Sequence, residues 1–272
     1  MIRLLYLVSM IHAVRSTEQI LQTLRCGGDV EDEDFDAYLP PGPRLASRQY
    51  WTPVAVATLT AHWLARVGAR WVLDVGSGCG KLCVVGAIAS ELSFVGLEQR
   101  LNLVRIARKL AHRFGVDDRA TFRHGALGDV AFEQFDALYF YNPFGENVFA
   151  EEEHLDTNVA LTPERFQDDI RQMESVLGRM PVGSHVVSYH GFGGRIPDTY
   201  ELTHSDRART GTLRLWSKVR EQGLGHYWIE RENTAAFRDA QDQEALSAAR
   251  PPVDAVKDDT GILAEKYEYR AR

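Results

Sequence analysis

The stretch WVLDVGSGCGKLCVV, residues Trp71–Val85, decides the fold. Its first five residues are apolar apart from one acid, which is typical of a strand buried in a parallel sheet. Glycines then alternate with other residues, and a second apolar run favours a helix. A glycine-rich turn between a strand and a helix predicts a site where the backbone closely approaches a nucleotide-like ligand.

The spacing of the glycines separates the possible ligands. A P-loop needs a glycine five positions before its final glycine and a Ser or Thr after the lysine, where this chain has Val75 and Leu82. A dinucleotide fingerprint that starts at Gly76 would need a glycine where Lys81 stands. The turn matches neither phosphate motif, although a nicotinamide-dependent oxidoreductase stays open as a rival.

The run Asp74-Val-Gly-Ser-Gly-Cys-Gly80 resembles the first motif of the class I S-adenosylmethionine-dependent methyltransferases. The cofactor of that family carries no phosphate, so its site needs a carboxylate for an ammonium group rather than a helix N-terminus for a pyrophosphate. In the family the acid of the motif serves the ammonium directly or through water, which implies this role for Asp74. The resemblance implies S-adenosyl-L-methionine as the cofactor, in a cradle made of Gly76, Ser77, Gly78 and Gly80.

Two acids further along are candidates for the rest of the cofactor. Glu98 closes the next predicted strand about 20 residues after the first glycine, the offset of an acid that binds both ribose hydroxyls. Its two oxygens can accept both hydrogen bonds at once, and Gln99 beside it joins the predicted binding set. Many relatives carry Gly-Asp after the third strand for the adenine, whereas this chain has RHGALGD. Either Asp129 contacts the adenine from a shifted turn, or backbone groups do.

The fourth predicted strand ends in Asn142-Pro143-Phe144, which resembles the Asn-Pro-Pro-Phe/Tyr motif of amino-group methyltransferases without the second proline. The resemblance implies that the Asn142 oxygen and the following carbonyl accept hydrogen bonds from the target nitrogen, while Phe144 walls in the acceptor. His190 follows the fifth predicted strand at the same edge and is a candidate general base. A turn stabilised by Asn and Pro, and a histidine that only caps a strand, are the alternative interpretations.

A narrower resemblance covers residues Tyr50–Phe144. The run LDVGSGCGK, the helix before it and the later asparagine-phenylalanine turn look like the non-SET histone lysine methyltransferases. The acid that comes only at Asp129, with Ala126 after Gly125, and the missing second proline depart from that pattern. Tyr50 and Trp51, just before the predicted helix, either cover the cofactor or belong to the core.

Short apolar runs alternate with helical patterns along the chain, which predicts an α/β fold with a parallel sheet. Together with the resemblance, this predicts a Rossmann-like sheet of seven mostly parallel strands with helices on both faces. Helices are expected after Thr52 as N-cap, over Arg100–Phe114 and after Thr162. The predicted strands are Trp71–Val75, Ser93–Glu98, Ala120–Arg123, Ala137–Tyr141, His185–Tyr189, Thr199–Leu202 and Thr212–Trp216, the last two as an antiparallel pair at one edge.

Three parts are expected along the chain: residues 1–45, 46–217 and 218–272. The first begins with an apolar run that His12 and Arg15 interrupt, which favours an amphipathic helix for packing, for a partner or for self-association over a leader. Its second half, Cys26–Leu45, combines acids, glycines and prolines and predicts a linker or mobile flap. The last part holds a helix-prone stretch, Asn233–Ala249, and is expected to be loosely held.

Composition narrows the setting. The chain has 272 residues and a formal net charge of −7, which argues against a surface built for nucleic acid or anionic lipid. Three cysteines provide neither a disulfide framework nor, with no histidine nearby, a metal site, so we expect a reducing, cytoplasmic setting and no metal. No run approaches the ~18 apolar residues of a membrane span.

The function expected from these residues is methyl transfer to an amine, either a protein lysine or another amine. One alternative keeps the cofactor but places the acceptor on a hydroxyl or carbon of a small molecule, with His190 as base. Another is a non-catalytic module that binds the cofactor or acts as a scaffold for a partner.

Overall fold

A computed structural model of the chain describes residues 14–209 and 211–229. The helices are α1 (Thr17–Arg25), α2 (Asp32–Asp36), α3 (Pro41–Tyr50), α4 (Val54–Arg66), α5 (Lys81–Ala89), α6 (Leu101–Arg113) and α7 (Pro163–Arg179). The strands are β1 (Trp71–Val75), β2 (Ser93–Glu98), β3 (Ala120–His124), β4 (Ala137–Tyr141), β5 (His185–Tyr189), β6 (Arg195–Pro197), β7 (Tyr200–Ala208), β8 (Gly211–Lys218) and β9 (Tyr227–Ile229). Short 3₁₀ turns lie at Leu127–Asp129, Phe132–Gln134, Gly145–Val148 and Glu151–Glu153.

The main sheet of the described part has seven strands in the order β3-β2-β1-β4-β5-β8-β7. Strands β1 to β5 are parallel, and β8 and β7 are antiparallel to their neighbours, so the predicted fold class is confirmed. The strand order reverses between β1 and β4, and the cleft outside the carboxyl ends of strands at such a point is where ligands bind in open α/β sheets. The topology therefore places the glycine turn beside the end of β4.

Hydrophobic residues cover both faces of the sheet. Helices α4, α5 and α6 pack on one face, and α7 packs on the other. The α7 face has the spacing expected from the sequence, because Phe166, Ile170, Met173 and Leu177 are all buried. Strand alternation sends Leu138 to the α7 side and Tyr139 to the opposite side.

The sheet edge differs from its prediction in two ways. The predicted polar loop after Leu202 is mostly strand, because β7 continues to Ala208 in register with β8 and passes an irregularity between Leu202 and His204. The side chains of β7 are mostly polar and exposed, so the sequence of this edge strand lacks the apolar pattern of a strand. It hydrogen bonds to a neighbouring strand on one side only. A second sheet, formed by β6 and β9, was not predicted, since strands of three residues carry almost no periodicity.

The start of α4 is also corrected. Thr52 was predicted as the N-cap, but the helix is capped by Pro53, and the Thr52 hydroxyl lies 3.1 Å from the hydroxyl of Tyr139. The first free backbone N–H, that of Val54, donates instead to Asp32 Oδ1 at 2.8 Å. A carboxylate from a distant segment thus replaces the local cap, and it favours the positive end of the helix dipole.

The segment Cys26–Leu45 is not the flap that its composition predicted. It contains α2 and the start of α3, and two of its acids contact Lys81, which is only 2% exposed. Lys81 Nζ lies 2.7 Å from carboxylate oxygens of both Asp32 and Asp36. The prediction failed because acids that repel one another in an isolated peptide become stabilising when a buried cation lies between them.

Helix α1 packs on α5 with Ile20 and Leu24 buried, as the apolar spacing predicted. The earlier apolar positions Leu5, Val8 and Ile11, and the helix-prone Asn233–Ala249, lie outside the described residues. The boundaries at residues 45 and 217, and a partner for the N-terminal segment, stay predictions. In residues 14–209 and 211–229, no helix is both long enough and apolar enough to cross a membrane.

Candidate active site

A cleft lies at the carboxyl ends of β1, β2 and β4, where the strand order reverses. Its cavity volume is about 120 Å³, and it is open to solvent. Most of the predicted site residues line it, although they come from separate strands. The predicted residues in its wall are Gly76, Gly78, Glu98, Gln99, Asn142, Pro143 and Phe144.

The glycine turn touches the motif after β4. Gly76 has a φ of +75°, and a Cβ added to it would lie 3.1 Å from Pro143 Cβ, tighter than an ordinary contact. Gly78 has a φ of +54°, and a Cβ there would overlap the indole ring of Trp51. The space beside Gly78 is thus filled by Trp51, whose indole N–H donates to the Pro43 carbonyl at 2.7 Å. Trp51 is both a core residue and part of the cleft wall.

Glu98 is held by backbone donors. Its two carboxylate oxygens accept hydrogen bonds from the N–H groups of Gly78, at 2.9 Å, and Arg100, at 2.8 Å. Burial raises the pKa of Glu98, and these two hydrogen bonds oppose that rise. Each carboxylate oxygen keeps further acceptor capacity, so the pair fits a ligand with two adjacent hydroxyls.

Asp74 and Ser77 lie at a smaller cavity next to the cleft. The two cavities share Tyr50, Trp51, Gly76 and Tyr141 in their walls. Burial raises the pKa of Asp74 to about 7, while a hydrogen bond from the Cys83 thiol, at 3.4 Å, opposes the rise. Asp74 is therefore poised to ionise when a cation approaches it.

Gly80 and Asp129 line neither cavity. A Cβ on Gly80 would lie 2.6 Å from the ring of Phe122, so this glycine serves the packing of α5 on the sheet. Asp129 is exposed, and its carboxylate accepts the Ala126 N–H at 2.9 Å within its own turn. Gly125, Ala126 and Leu127 line the cleft at that place, so contact of Asp129 with an adenine stays a prediction that this placement does not favour.

His190 also lies away from both cavities. Its ring packs on the ring of Tyr189, with 4.4 Å between centroids, and a Cβ on Gly211 would lie 2.5 Å from its Nε2. The sequence placed His190 at the correct sheet edge but could not show which way its ring points. Its role as a base stays a prediction that this placement does not favour.

Asn142 has an unusual backbone and an unpaired oxygen. Its φ is +43°, a left-handed conformation that Asn tolerates better than most residues. Its N–H donates to the Gly191 carbonyl at 2.9 Å, which links the turns after β4 and β5. The amide lies against Gly145, where no Cβ intervenes, and Oδ1 is buried with no hydrogen-bond partner among the described residues.

A charged clamp across the cleft was missed by the sequence analysis. The Arg100 guanidinium makes two bonds of 2.9 Å to the carboxylate of Glu146 and one of 3.0 Å to Asp156. Glu146 also accepts the Leu155 N–H at 2.7 Å, so the segment 145–161 is tied to the end of β2. No local pattern relates residues so far apart in the sequence, although an arginine directly after a ligand-binding strand was a usable signal.

Helix α7 supplies the remaining wall. Arg165 and Asp169 line the cleft, and the Arg165 guanidinium contacts the side-chain oxygen of Gln99. On the other side, the Tyr50 hydroxyl donates to the Glu153 carbonyl. Burial and nearby acids raise the pKa of Tyr50 to about 12. The part of the chain that the structure describes contains no group of three or more His, Cys, Asp or Glu residues that could hold a metal ion.

Comparisons with known proteins give similarities of structure only. No family model and no curated protein matches the sequence. An RNA methyltransferase from Salinibacter ruber in complex with S-adenosyl-L-homocysteine is 22% identical over 61% of this chain and 94% of that chain, with a TM-score of 0.42. An O-methyltransferase from Bacillus cereus, also in complex with S-adenosyl-L-homocysteine, is 16% identical over 78% of this chain and 96% of its own, with a TM-score of 0.44. A methyltransferase from Geobacter sulfurreducens is 16% identical over 71% of this chain and 98% of its own, with a TM-score of 0.46.

Proposed function

We propose that this chain is an S-adenosylmethionine-dependent methyltransferase that acts on an amino group. The observation that carries the proposal is Asn142, which lines the same cleft as Glu98 and has a buried side-chain oxygen without a hydrogen-bond partner among the described residues. A buried acceptor without a partner is costly, and a ligand N–H would satisfy it. The methyl acceptor that fits this atom is a protein lysine or another amine.

The cleft suits a ligand rich in donors and without phosphate. Glu98 has spare acceptor capacity for hydroxyls, and Asp74 lies nearby for an ammonium group. The two arginines that line the cleft are already paired, Arg100 with Glu146 and Asp156, and Arg165 with Asp169. A pyrophosphate would therefore have to displace existing ion pairs, which argues against a nicotinamide dinucleotide.

When bound, S-adenosylmethionine supplies an electrophilic methyl group on its sulfonium sulfur. The residues of this chain have to orient the acceptor and exclude water. Asn142 Oδ1 would accept an N–H of the neutral amine and thereby aim its lone pair, and a lysine would first have to lose its proton. Aromatic rings of Tyr50, Tyr141 and Phe144 in the wall reduce access of water to this place.

Two other functions remain as alternatives. Transfer to a hydroxyl or carbon of a small molecule would need a general base, and His190 lines neither cavity. A module that only binds the cofactor would keep the cleft but show no turnover. Exclusion of nucleic acid, a cytoplasmic setting and self-association are expectations from the sequence alone.

Radiolabelled methyl transfer to protein lysates and to small-molecule extracts tests the proposal. We expect Asn142→Ala to bind S-adenosylhomocysteine nearly as the wild type does and to lose on the order of 100-fold in turnover, since positioning is lost. Asn102→Ala, an exposed change on α6, is the matched control. Normal turnover by Asn142→Ala, or label that enters only hydroxylated or carbon acceptors, would contradict the amine assignment.

A further inference from the structure

Two aromatic rings from distant segments meet at the opening of the cleft. Tyr50 ends α3, Phe149 follows the 3₁₀ turn Gly145–Val148, and both line the cleft while they stay partly exposed. Their ring centroids lie 6.4 Å apart, and their planes are inclined by 59°. The Trp51 ring adds a third wall, with 5.9 Å between its centroid and that of Tyr50. Inclined rings at such separations can lie within about 6 Å of one shared cation, which is the range of a cation–π contact.

Negative charge lies beside these rings. Burial and the nearby carboxylates of Glu146 and Glu153 raise the pKa of Tyr50 to about 12, while Arg100 opposes this rise. Glu146 shares the guanidinium of Arg100 with Asp156, and Glu153 is exposed and forms no ion pair with any residue of the described ranges. Carboxylates thus outnumber the guanidinium at this place, and the electrostatic field favours a ligand cation beside Tyr50.

The Tyr50 hydroxyl already has partners, which leaves the face of the ring for a ligand. It donates to the Glu153 carbonyl and accepts a hydrogen bond from Gln49 Nε2 at 3.3 Å. A primary ammonium has three N–H donors and needs as many acceptors. A methyl group in place of one N–H removes a donor, keeps the positive charge of the ammonium and adds apolar surface, which suits aromatic faces.

The two rings lie close to the expected place of methyl transfer. Tyr141, the residue before Asn142, donates its hydroxyl to the Gln49 carbonyl at 3.3 Å. Because Gln49 precedes Tyr50, this contact joins the end of β4 to the aromatic rings. An amine with one methyl group would keep an N–H for Asn142 Oδ1 while its methyl group faces the rings.

We propose that the faces of the Tyr50 and Phe149 rings bind a methylated ammonium group, and that the acceptor is an amine that already carries a methyl group. The inference rests on the proposed function and narrows its substrate class. A small molecule and a lysine side chain are the two sources of such a group, and both present the same cationic and apolar head to the rings.

Calorimetry with choline and its neutral isostere, 3,3-dimethyl-1-butanol, tests the inference on the full chain in the presence of S-adenosylhomocysteine. We expect the wild type to prefer choline by about tenfold. Tyr50→Leu and Phe149→Leu should each bring the two dissociation constants within about threefold of each other, whereas Tyr50→Phe, which keeps the ring, should retain the preference. Tyr38→Leu is the matched control, because Tyr38 is half-buried, lines neither cavity and also donates its hydroxyl to a backbone carbonyl.

Two forms of N-acetyl-lysine amide, one unmodified and one with a dimethylated side chain, distinguish the sources of the methylated group. Binding of the dimethylated form that is about threefold tighter or more supports a lysine side chain. Equal binding of the two forms, with the preference for choline intact, supports a small molecule.

Thermal unfolding without ligand shows whether each variant is folded, and Phe149→Leu alone decides the test if Tyr50→Leu unfolds. Equal affinity of the wild type for choline and its isostere overturns the inference and leaves the proposed function standing. An unchanged preference for choline in the folded leucine variants does the same. A wild-type chain that does not bind S-adenosylhomocysteine overturns the proposed function together with the inference.

Discussion

Lys81 and Arg100 are both buried cations, and each pairs with two carboxylates from a distant segment. Lys81 binds acids of the N-terminal segment, and Arg100 binds Glu146 and Asp156 after β4. The pairs resemble each other in exposure, since Lys81 is 2% and Arg100 4% exposed. They differ in what else each cluster contacts.

The Lys81 cluster connects elements of the fold. Lys81 also contacts the Ser47 hydroxyl at 3.2 Å, and Asp32 caps the start of α4 while it pairs with Lys81. The Arg100 cluster connects the fold to the cleft, because the Arg100 N–H binds Glu98 and its guanidinium holds the segment 145–161. Two similar ion clusters thus have different expected effects, on folding in one case and on ligand binding in the other.

The largest expected effect is on stability. Lys81→Met leaves the buried carboxylate of Asp36 without its ion pair, whereas Asp32 keeps its ion pair with Arg209 at 2.9 Å. We expect the free energy of unfolding to fall by about 3–5 kcal/mol. Denaturant titration followed by circular dichroism measures this. The matched control is Lys109→Met, at an exposed position of α6, which should stay within about 0.5 kcal/mol of the wild type. Equal stability of the two variants would show that the cluster contributes nothing to folding.

The next effect is on ligand affinity. Arg100→Met releases Glu146 and Asp156, so we expect S-adenosylhomocysteine to bind about tenfold more weakly, or about 1.4 kcal/mol. Arg100→Lys keeps the charge but not the bidentate geometry, so its affinity should lie between those of the wild type and Arg100→Met. Calorimetry measures the affinity, with Arg105→Met on the exposed side of α6 as control. If Arg100→Met alters stability as much as Lys81→Met and leaves affinity unchanged, the contrast between the clusters is wrong.

An effect of the same size concerns pH and tests whether the cavity beside Lys81 also serves the ligand. Because burial raises the pKa of Asp74 to about 7, its proton must leave before the carboxylate can pair with an ammonium group. We expect the affinity for S-adenosylhomocysteine to fall about tenfold from pH 8 to pH 6. Asp74→Asn should remove this dependence, and so should 5′-methylthioadenosine, a ligand without the ammonium group.

The same carboxyl has a defined effect on stability without ligand. Its pKa is higher in the folded chain than in the unfolded chain, so its contribution is present below the unfolded pKa and is lost as the pH rises through about 7. Unfolding free energies of the wild type and Asp74→Asn at pH 5 and pH 8 measure this difference. In the binding experiment, an affinity of the wild type for S-adenosylhomocysteine that does not change with pH would mean that Asp74 does not face the ammonium group.

The sheet was predictable because its signals are local. The glycine turn after Val75, the acid Glu98 and the turn at Asn142 each lie where a strand ends, and parallel strands bring such ends to one edge. Two ion pairs join residues far apart in the sequence, Lys81 with Asp32 and Arg100 with Glu146. Neither pair produces a periodicity or a fixed spacing from which it could be predicted. The direction in which a side chain points could not be predicted from the sequence either. For this reason Asp129 and His190 were predicted as site residues, although they line neither cavity.

The left-handed backbone at Asn142 restricts how this site could change over evolutionary time. At a φ of +43°, few residues other than Gly, Asn and Asp fit without strain. Glycine would delete the amide, and aspartate would replace a neutral acceptor with a negative charge in a cleft that Glu98 and Glu146 already line. Few substitutions of Asn142 could therefore change the methyl acceptor. We expect a change of substrate to begin with substitutions in the neighbouring segment 145–161.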